Sequence, residues 1–283
     1  MQRVNAALRA ARNFRQQGYL PLTLGANAIG WVRRDQADRL RAWPGLFEIS
    51  GREIQLQIAN EPALSAALAR VAQALADEGV IRGWRNETYS VRAEPGGATL
   101  FHLERAAMRF FGLTSSAAHL NGFFVQNESP AIWIARRSAT KAIDPDMLDT
   151  LVGGGVPSGE DAWRTLLREC GEEAGIAVAL AEQARPAGIL RVCREVPDGL
   201  HSEILHVHDL ALPADFTPRN SDGEVSEFLA LDATALRERI ARGEMTVEAG
   251  LLAADFLLRH GLIQDTDGAI AAAIDACRVA TAP

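Results

Sequence analysis

The chain has 283 residues, 48% hydrophobic and 23% charged, the balance of a globular protein long enough for two domains. A formal net charge of −7 and a pI near 5.5 argue against a nucleic-acid binder. No apolar run approaches the ~20 residues that would span a bilayer.

The start, "MQRVNAALRAARNFRQQGYL", lacks the apolar stretch of a secretory signal, and residues 3–17 predict a helix with Val4, Leu8, Ala11 and Phe14 on one stripe. "YLPLTLGANAIGWV" predicts two strands around Gly25-Ala26-Asn27. "RDQADRLRAW" predicts a helix with Asp35 as N-cap, stopping before Pro44. "EISGREIQLQI" predicts a hairpin, and Pro62 to Gly79 bracket a helix. A second hairpin turns at Glu94-Pro95-Gly96-Gly97, and a short helix over 104–111 leads to a boundary near Gly112. Beyond it come a hairpin ("AHLNGFFVQNESPAIWIARRS"), a strand running into glycines ("MLDTLVGGGV") and a helix over 160–174. Three further strands and three closing helices follow.

Charge divides along the chain. Residues 1–114 hold 15 Arg and 10 acids, net +5, and the remainder 14 basic and 26 acidic residues, net −12. This suggests an anionic ligand gripped by one part and a cation by the other. Lys141 is the only lysine beside 28 arginines, a skew read as base composition. Cys170, Cys193 and Cys277 are too few and too scattered for a disulfide framework or a zinc ribbon, and fit a reducing cytoplasm.

The most informative stretch is "RECGEEAG", residues 168–175. Like charges at helical spacing repel by a few tenths of a kcal/mol per pair. At 100° per residue, Glu173 lies about 40° from Glu169 and Glu172 about 60° the other way, so all three share one arc. Upstream stand Glu160 and the run Gly153-Gly154-Gly155, which suit a tight loop. Three glutamates alone would equally describe a solvated face.

From Gly154 through Glu160 to Arg168-Glu169-Cys170-Gly171-Glu172-Glu173-Ala174-Gly175-Ile176 the pattern resembles the Nudix box, with Cys170 where a larger aliphatic is usual. The resemblance implies an α/β fold: a Nudix α/β/α sandwich with a mixed sheet (residues 115–283), preceded by a small α+β accessory domain (1–114) on the substrate side. Glu169, Glu172 and Glu173 would ligate magnesium, with manganese as an alternative, aided by a carbonyl of Gly153 or Gly154. Carboxylate oxygens suit such a hard dication, which bridges to phosphates. Glu169 or Glu172 would also serve as base, and Glu160 and Arg168 would orient loop and helix. Glu224, in "SDGEVSEF" with Asp222 and Glu227, is the candidate for a further catalytic glutamate.

A second resemblance covers nearly the whole chain. "IGWVRRD" (29–35), "DEGVIRGWRNETYSV" (77–91), "FHLERAAMRFFGL" (101–113), "HLNGFF" (119–124), "IWIARRS" (132–138) and "FLLRHGLI" (256–263) are similar to a subgroup. It includes the Nudix region fused to thiamine pyrophosphokinase in some fungi. That resemblance implies hydrolysis of thiamine diphosphate and its oxo- and oxy-analogues to the monophosphate and phosphate. The chain departs from the subgroup at Asp144–Met147, Thr150 and Thr246-Val247.

Two rings and a diphosphate need a platform and basic groups. Trp31, Arg33 and Trp84, with Arg34, Arg85 and Tyr89, are candidates from the first part, and Arg136 and Arg137 from the strand "AIWIA". His119 reads as a packed strand-end residue. The competing substrates are ADP-ribose and coenzyme A, and the competing class is a non-catalytic ligand sensor, against which the intact box counts. An isopentenyl diphosphate isomerase needs a cysteine set against a glutamate, and neither Cys170 nor Cys193 has that context. The expected partner is a small diphosphate, with no nucleic acid and no membrane. The sequence leaves oligomeric state open.

Overall fold

The computed structural model describes residues 2–126 and 129–279. The first part runs α1 (Gln2–Arg9), β1 (Tyr19–Leu24), β2 (Asn27–Arg33), α2 (Arg34–Ala37), β3 (Phe47–Ile49), β4 (Ile54–Leu56), α3 (Ala63–Asp77), β5 (Thr88–Arg92), β6 (Thr99–Glu104) and α4 (Met108–Phe111). The second begins with β7 (Thr114–Gln126), β8 (Ser129–Arg137), β9 (Leu148–Thr150), β10 (Val152–Gly155), α5 (Ala162–Ala174) and α6 (Val178–Ala181). It continues with β11 (Arg185–Val196), β12 (Gly199–Ala211), β13 (Val225–Leu231), α7 (Ala233–Arg242), α8 (Val247–Arg259) and α9 (Ala269–Asp275).

Strands of the second part form one mixed sheet in the order β11-β12-β7-β8-β13, with β10 on β7 and β9 on β8. β12 and β7 are parallel; the other pairs are antiparallel. Alternation sends neighbouring residues to opposite faces. Leu205 and Val207 of β12 pack with α7, α8 and α9, while Ala118 and Leu120 of β7 pack with Leu166 and Cys170 of α5. The result is the α/β/α sandwich. Residues 20–113 enclose a separate core, in which α3 lays Leu64, Leu68, Val71 and Leu75 among residues of the β2-β1-β4-β3 sheet and the β5-β6 hairpin.

The first helix is shorter than its sequence predicts. Val4, Leu8 and Ala11 are buried as the stripe requires, but they pack with Leu236, Leu252 and Ile274 of the second part. The chain leaves helical geometry at Asn13 because β11 offers better partners there. Asn13 Oδ1 accepts the Glu195 N–H at 2.8 Å, and Phe14 N–H donates to Cys193 O at 3.4 Å. Asp35 does not cap α2. Its carboxylate pairs with Arg33 at 2.7 Å, and the position before the helix is Arg33, without a side-chain cap. The helix expected over 160–174 starts at Ala162: Asp161 caps it, accepting from Arg164 N–H, and Gly175 ends it at φ 65°.

Candidate active site

The box helix α5 lies against β10, and the three glycines of that strand explain the fit. They do not form a loop; Gly153, Gly154 and Gly155 pair with His119, Ala118 and Ala117 of β7. What they provide is close approach. A Cβ on Gly154 would stand 2.3 Å from Glu169 Oε1, and one on Gly153 2.8 Å from the His119 ring. A Cβ on Gly155 would overlap the Tyr89 hydroxyl.

Arg168 sits between three carboxylates. It contacts Glu160 Oε1 at 3.3 Å, Glu169 Oε1 at 3.0 Å and Glu172 Oε2 at 2.9 Å. Glu160 also accepts from Thr165 Oγ1 at 2.9 Å, so the expected loop–helix pair is present and tied to the first turn of α5. Glu173 faces the other way. It is buried, its Oε2 accepts the Gly153 N–H at 2.8 Å, and it meets residues from the loop before β13. Single oxygens of Glu173, Asp222 and Glu224 lie within 4.8 Å of one another. The shared arc is therefore split: Glu169 and Glu172 are held by Arg168, while Glu173 joins Asp222 and Glu224.

Burial pushes the Glu173 carboxyl well above the usual range, with the Gly153 N–H opposing and Glu169 adding. Glu169 is raised for the same first reason, against the pull of Arg168. Burial also raises Asp222. Carboxylates so placed fit a divalent cation, whose charge would reverse these shifts. Glu173, Asp222 and Glu224, with Glu169 alongside, are the residues that would hold it. When bound, such an ion stabilises charge on phosphate oxygens and makes water more acidic.

Lys141 comes from the 138–147 loop, and its ammonium contacts the Glu224 carboxylate. Arg85 also reaches Glu224, at 3.6 Å. Burial holds the Lys141 amine below its ordinary value. Sequence reading missed this lysine, although its being the single one among 28 arginines was a signal. It also passed over Asp222 in favour of Glu224.

Glu169 and Glu172, with Asp222 and Glu224, open into a cavity of about 740 Å³ between the two parts of the chain, and Glu173 lies buried behind them. Arg82, Arg85, Arg105 and Arg109 line it from the first part, so the basic half does face the acidic one. Of the expected substrate residues, Arg85, Tyr89 and Arg137 line the cavity; the Arg137 guanidinium is committed to Asp149 at 2.8 Å and to backbone carbonyls of Ile143 and Asp144. It fixes the loop that carries Lys141. Trp31, Arg33, Trp84 and Arg136 lie outside the cavity lining. Trp31 packs edge-on to Phe14, and the backbone of Gly112 is so close to it that a Cβ there would overlap Trp31. Arg33 is paired with Asp35 and donates to Pro197 O. Trp84 donates to Asn86 Oδ1 at 3.0 Å and packs on the first core. Arg136 pairs with Glu227 at 2.8 Å. Large amphipathic side chains are as useful for seating two cores against each other as for holding a ring.

His119 lines the cavity floor beside Gly153. Thr150 Oγ1 donates to Val152 O, so it accepts from His119 Nδ1 at 2.9 Å, which assigns the ring proton to Nδ1 and leaves Nε2 as an acceptor. Burial pushes the Cys170 thiol up to about 12, an inert packing group within α5. Among the described residues no helix is long and apolar enough to cross a membrane.

Residues 120–248 match the NUDIX domain, and residues 1–115 match a domain of unknown function, DUF4743. Two Arabidopsis thaliana proteins are similar along most of the chain. "Nudix hydrolase 24, chloroplastic" is 33% identical over 251 residues, covering 87% of this chain and 69% of its own. "Nudix hydrolase 20, chloroplastic" is 31% identical over 258 residues, with the same coverage. The crystal structure of a Deinococcus radiodurans protein is 27% identical, at a TM-score of 0.45, over 62% of this chain and 98% of that one. Sharing close to a third of its residues with two enzymes of that name over most of its length, the chain belongs to the Nudix hydrolase family.

Proposed function

We propose that this Nudix hydrolase cleaves the diphosphate of thiamine diphosphate and of its oxo- and oxy-analogues, giving the monophosphate and phosphate. The supporting observation is the cavity. Its lining brings Glu169 and Glu172 of α5 together with Arg82, Arg85, Arg105 and Arg109, and its volume would admit an organic group as well as a diphosphate. In this reading residues 1–114 supply the substrate side, apart from the first helix, which packs on the catalytic unit of residues 115–283. Arginine forks suit phosphate oxygens, and Nudix hydrolases generally use divalent cations such as magnesium. Glu169 is the better base of the two candidates. It is the more buried, and its side chain packs against Gly154 at the cavity, where it would meet the attacking water. Glu172 is half exposed and held by Arg168. Arg168 and Glu160 set the helix against its preceding loop. Three free thiols accord with a cytoplasmic setting.

A phosphate-release screen with magnesium, covering thiamine diphosphate, oxothiamine diphosphate, ADP-ribose and coenzyme A, tests the assignment. Turnover is expected to be strongest on a thiamine-type diphosphate. Strong turnover of ADP-ribose or coenzyme A with none of any thiamine species rejects it, and tight binding without phosphate release identifies a sensor.

A further inference from the structure

The cavity lining includes a second group of carboxylates, on elements other than α5. They stand on β12 and the first turn of α8. Alternation sets His201 and Glu203 on one face of β12, and Glu248 arrives as the second residue of α8. His201 Nε2 lies 3.2 Å from Glu248 Oε1 and 3.6 Å from Glu203 Oε2. Arg194 Nε donates to Glu248 Oε1 at 3.0 Å, and Ser115 Oγ donates to Glu203 Oε1 at 2.9 Å.

Two buried carboxylates are tolerable only when they are hydrogen-bonded and paired. Here they are, but not to capacity. An ionised carboxylate offers about four acceptor directions. Among the described residues the side chains reaching Glu203 are Ser115 and His201, and those reaching Glu248 are His201 and Arg194. The remaining acceptor capacity lies on the cavity wall.

An independent observation comes from the opposite wall. Tyr89, on β5, is 3% exposed and lines the cavity, and its hydroxyl has no hydrogen-bond partner among the described residues. It stands over Gly155. A desolvated hydroxyl without a partner is destabilising where phenylalanine would not be.

We propose that this second group forms the specificity subsite and that it selects organic groups presenting N–H donors, a nitrogen ring with an exocyclic amino group, over apolar ones. Glu203 and Glu248 accept from those donors, His201 and Arg194 keep both carboxylates ionised, and the Tyr89 hydroxyl completes the wall. The inference rests on the reading of the cavity as the substrate site, and thiamine, with its aminopyrimidine, is one group of this class.

The test compares Glu203→Gln and Tyr89→Phe with the unaltered enzyme on two ligands. One is whichever of oxothiamine diphosphate, ADP-ribose and coenzyme A is hydrolysed fastest; the other is dimethylallyl diphosphate, which has no N–H, measured as a competing inhibitor. For Glu203→Gln, KM for the first ligand is expected to rise about tenfold or more, with kcat within about twofold and the inhibition constant of dimethylallyl diphosphate unchanged. Tyr89→Phe removes only an unpartnered hydroxyl, so it keeps the fold, with Tm at or above the original, and raises the same KM severalfold. Equal weakening of both ligands overturns the proposal, as does an unchanged KM in Tyr89→Phe when Glu203→Gln is unchanged or fails to fold. The identity of the fastest substrate decides the thiamine reading separately from this split.

Discussion

The cavity carries glutamates at both ends, in opposite electrostatic condition. At the α5 end, burial raises Glu169 and Glu173. At the β12–α8 end, burial would raise Glu203 and Glu248 as well, but hydrogen bonds and charge from His201, with Arg194 beside Glu248, hold both below the carboxylate range. His201 in turn is pushed down by burial and carried up to about 9 by the two glutamates. The second end brings its own cations from neighbouring strands. At the first, Arg168 serves Glu169 and Glu172 and Lys141 contacts Glu224, so Glu173 has the Gly153 N–H and the charge of Lys141 nearby, which do not outweigh its burial. The two groups of glutamates thus differ in how far neighbouring cations offset their burial.

The strongest way to break this comparison is Glu173→Gln. Phosphate release should fall by about a thousandfold, while Tm in metal-free alkaline buffer, where Glu173 is ionised, holds or rises because a desolvated charge is gone. An undiminished rate would remove Glu173 from the catalytic end. The second end is tested through stability. Glu248→Ala strands His201 and Arg194 and should cost about 3–5 kcal/mol in urea unfolding; a loss under about 1 kcal/mol would mean that the network is solvated after all.

The pH dependence sharpens the contrast, since the two ends have opposite signs. Glu169 and Glu173 bind protons more tightly folded than unfolded. Their contribution is present below the ordinary carboxylate pKa and lost as pH rises through the raised values. Glu203 and Glu248 contribute above the ordinary value and lose it as pH falls through their depressed ones. Magnesium should therefore raise Tm by more at pH 8 than at pH 6, by scanning calorimetry, and Glu173→Gln should shrink that difference. An equal shift at both pH values would count against carboxylate ligation. The smallest effect is expected at the surface. Asp35→Ala opens an exposed pair with Arg33 and should change stability by about 0.5 kcal/mol or less, with KM unaltered. A raised KM would return Arg33 to the substrate path.

The parts of the site that were legible in sequence are those built by local chain. The α5 box and the Glu160–Arg168 pair lie within residues 160–175, where helical periodicity fixes geometry, while the glycines before them, expected as a tight loop, form β10. Glu224 was legible because "SDGEVSEF" concentrates acids before a strand, yet its neighbour Asp222 is in the cluster too. The second end was not legible. Glu203 and Glu248 belong to different elements and meet only because α8 packs on the sheet beside β12. Lys141 depends on how the 138–147 loop crosses the cavity. Trp31 and Trp84 had the right chemistry for a ring platform, but sequence does not distinguish a ring-holding tryptophan from one that packs on a neighbouring core.

The path of α1 has a practical consequence for dissecting the protein. Val4, Leu8 and Ala11 are buried among α7, α8 and α9, so residues 2–12 lie on the sandwich, and the chain leaves it near Asn13 and returns at β7. The unit between is anchored at both ends, as an excursion from one body and not as a head on a string. Cutting at residue 114 would leave three apolar sockets open on the sandwich. A fragment meant to stand alone should keep residues 2–12 and rejoin them to β7 through a short linker.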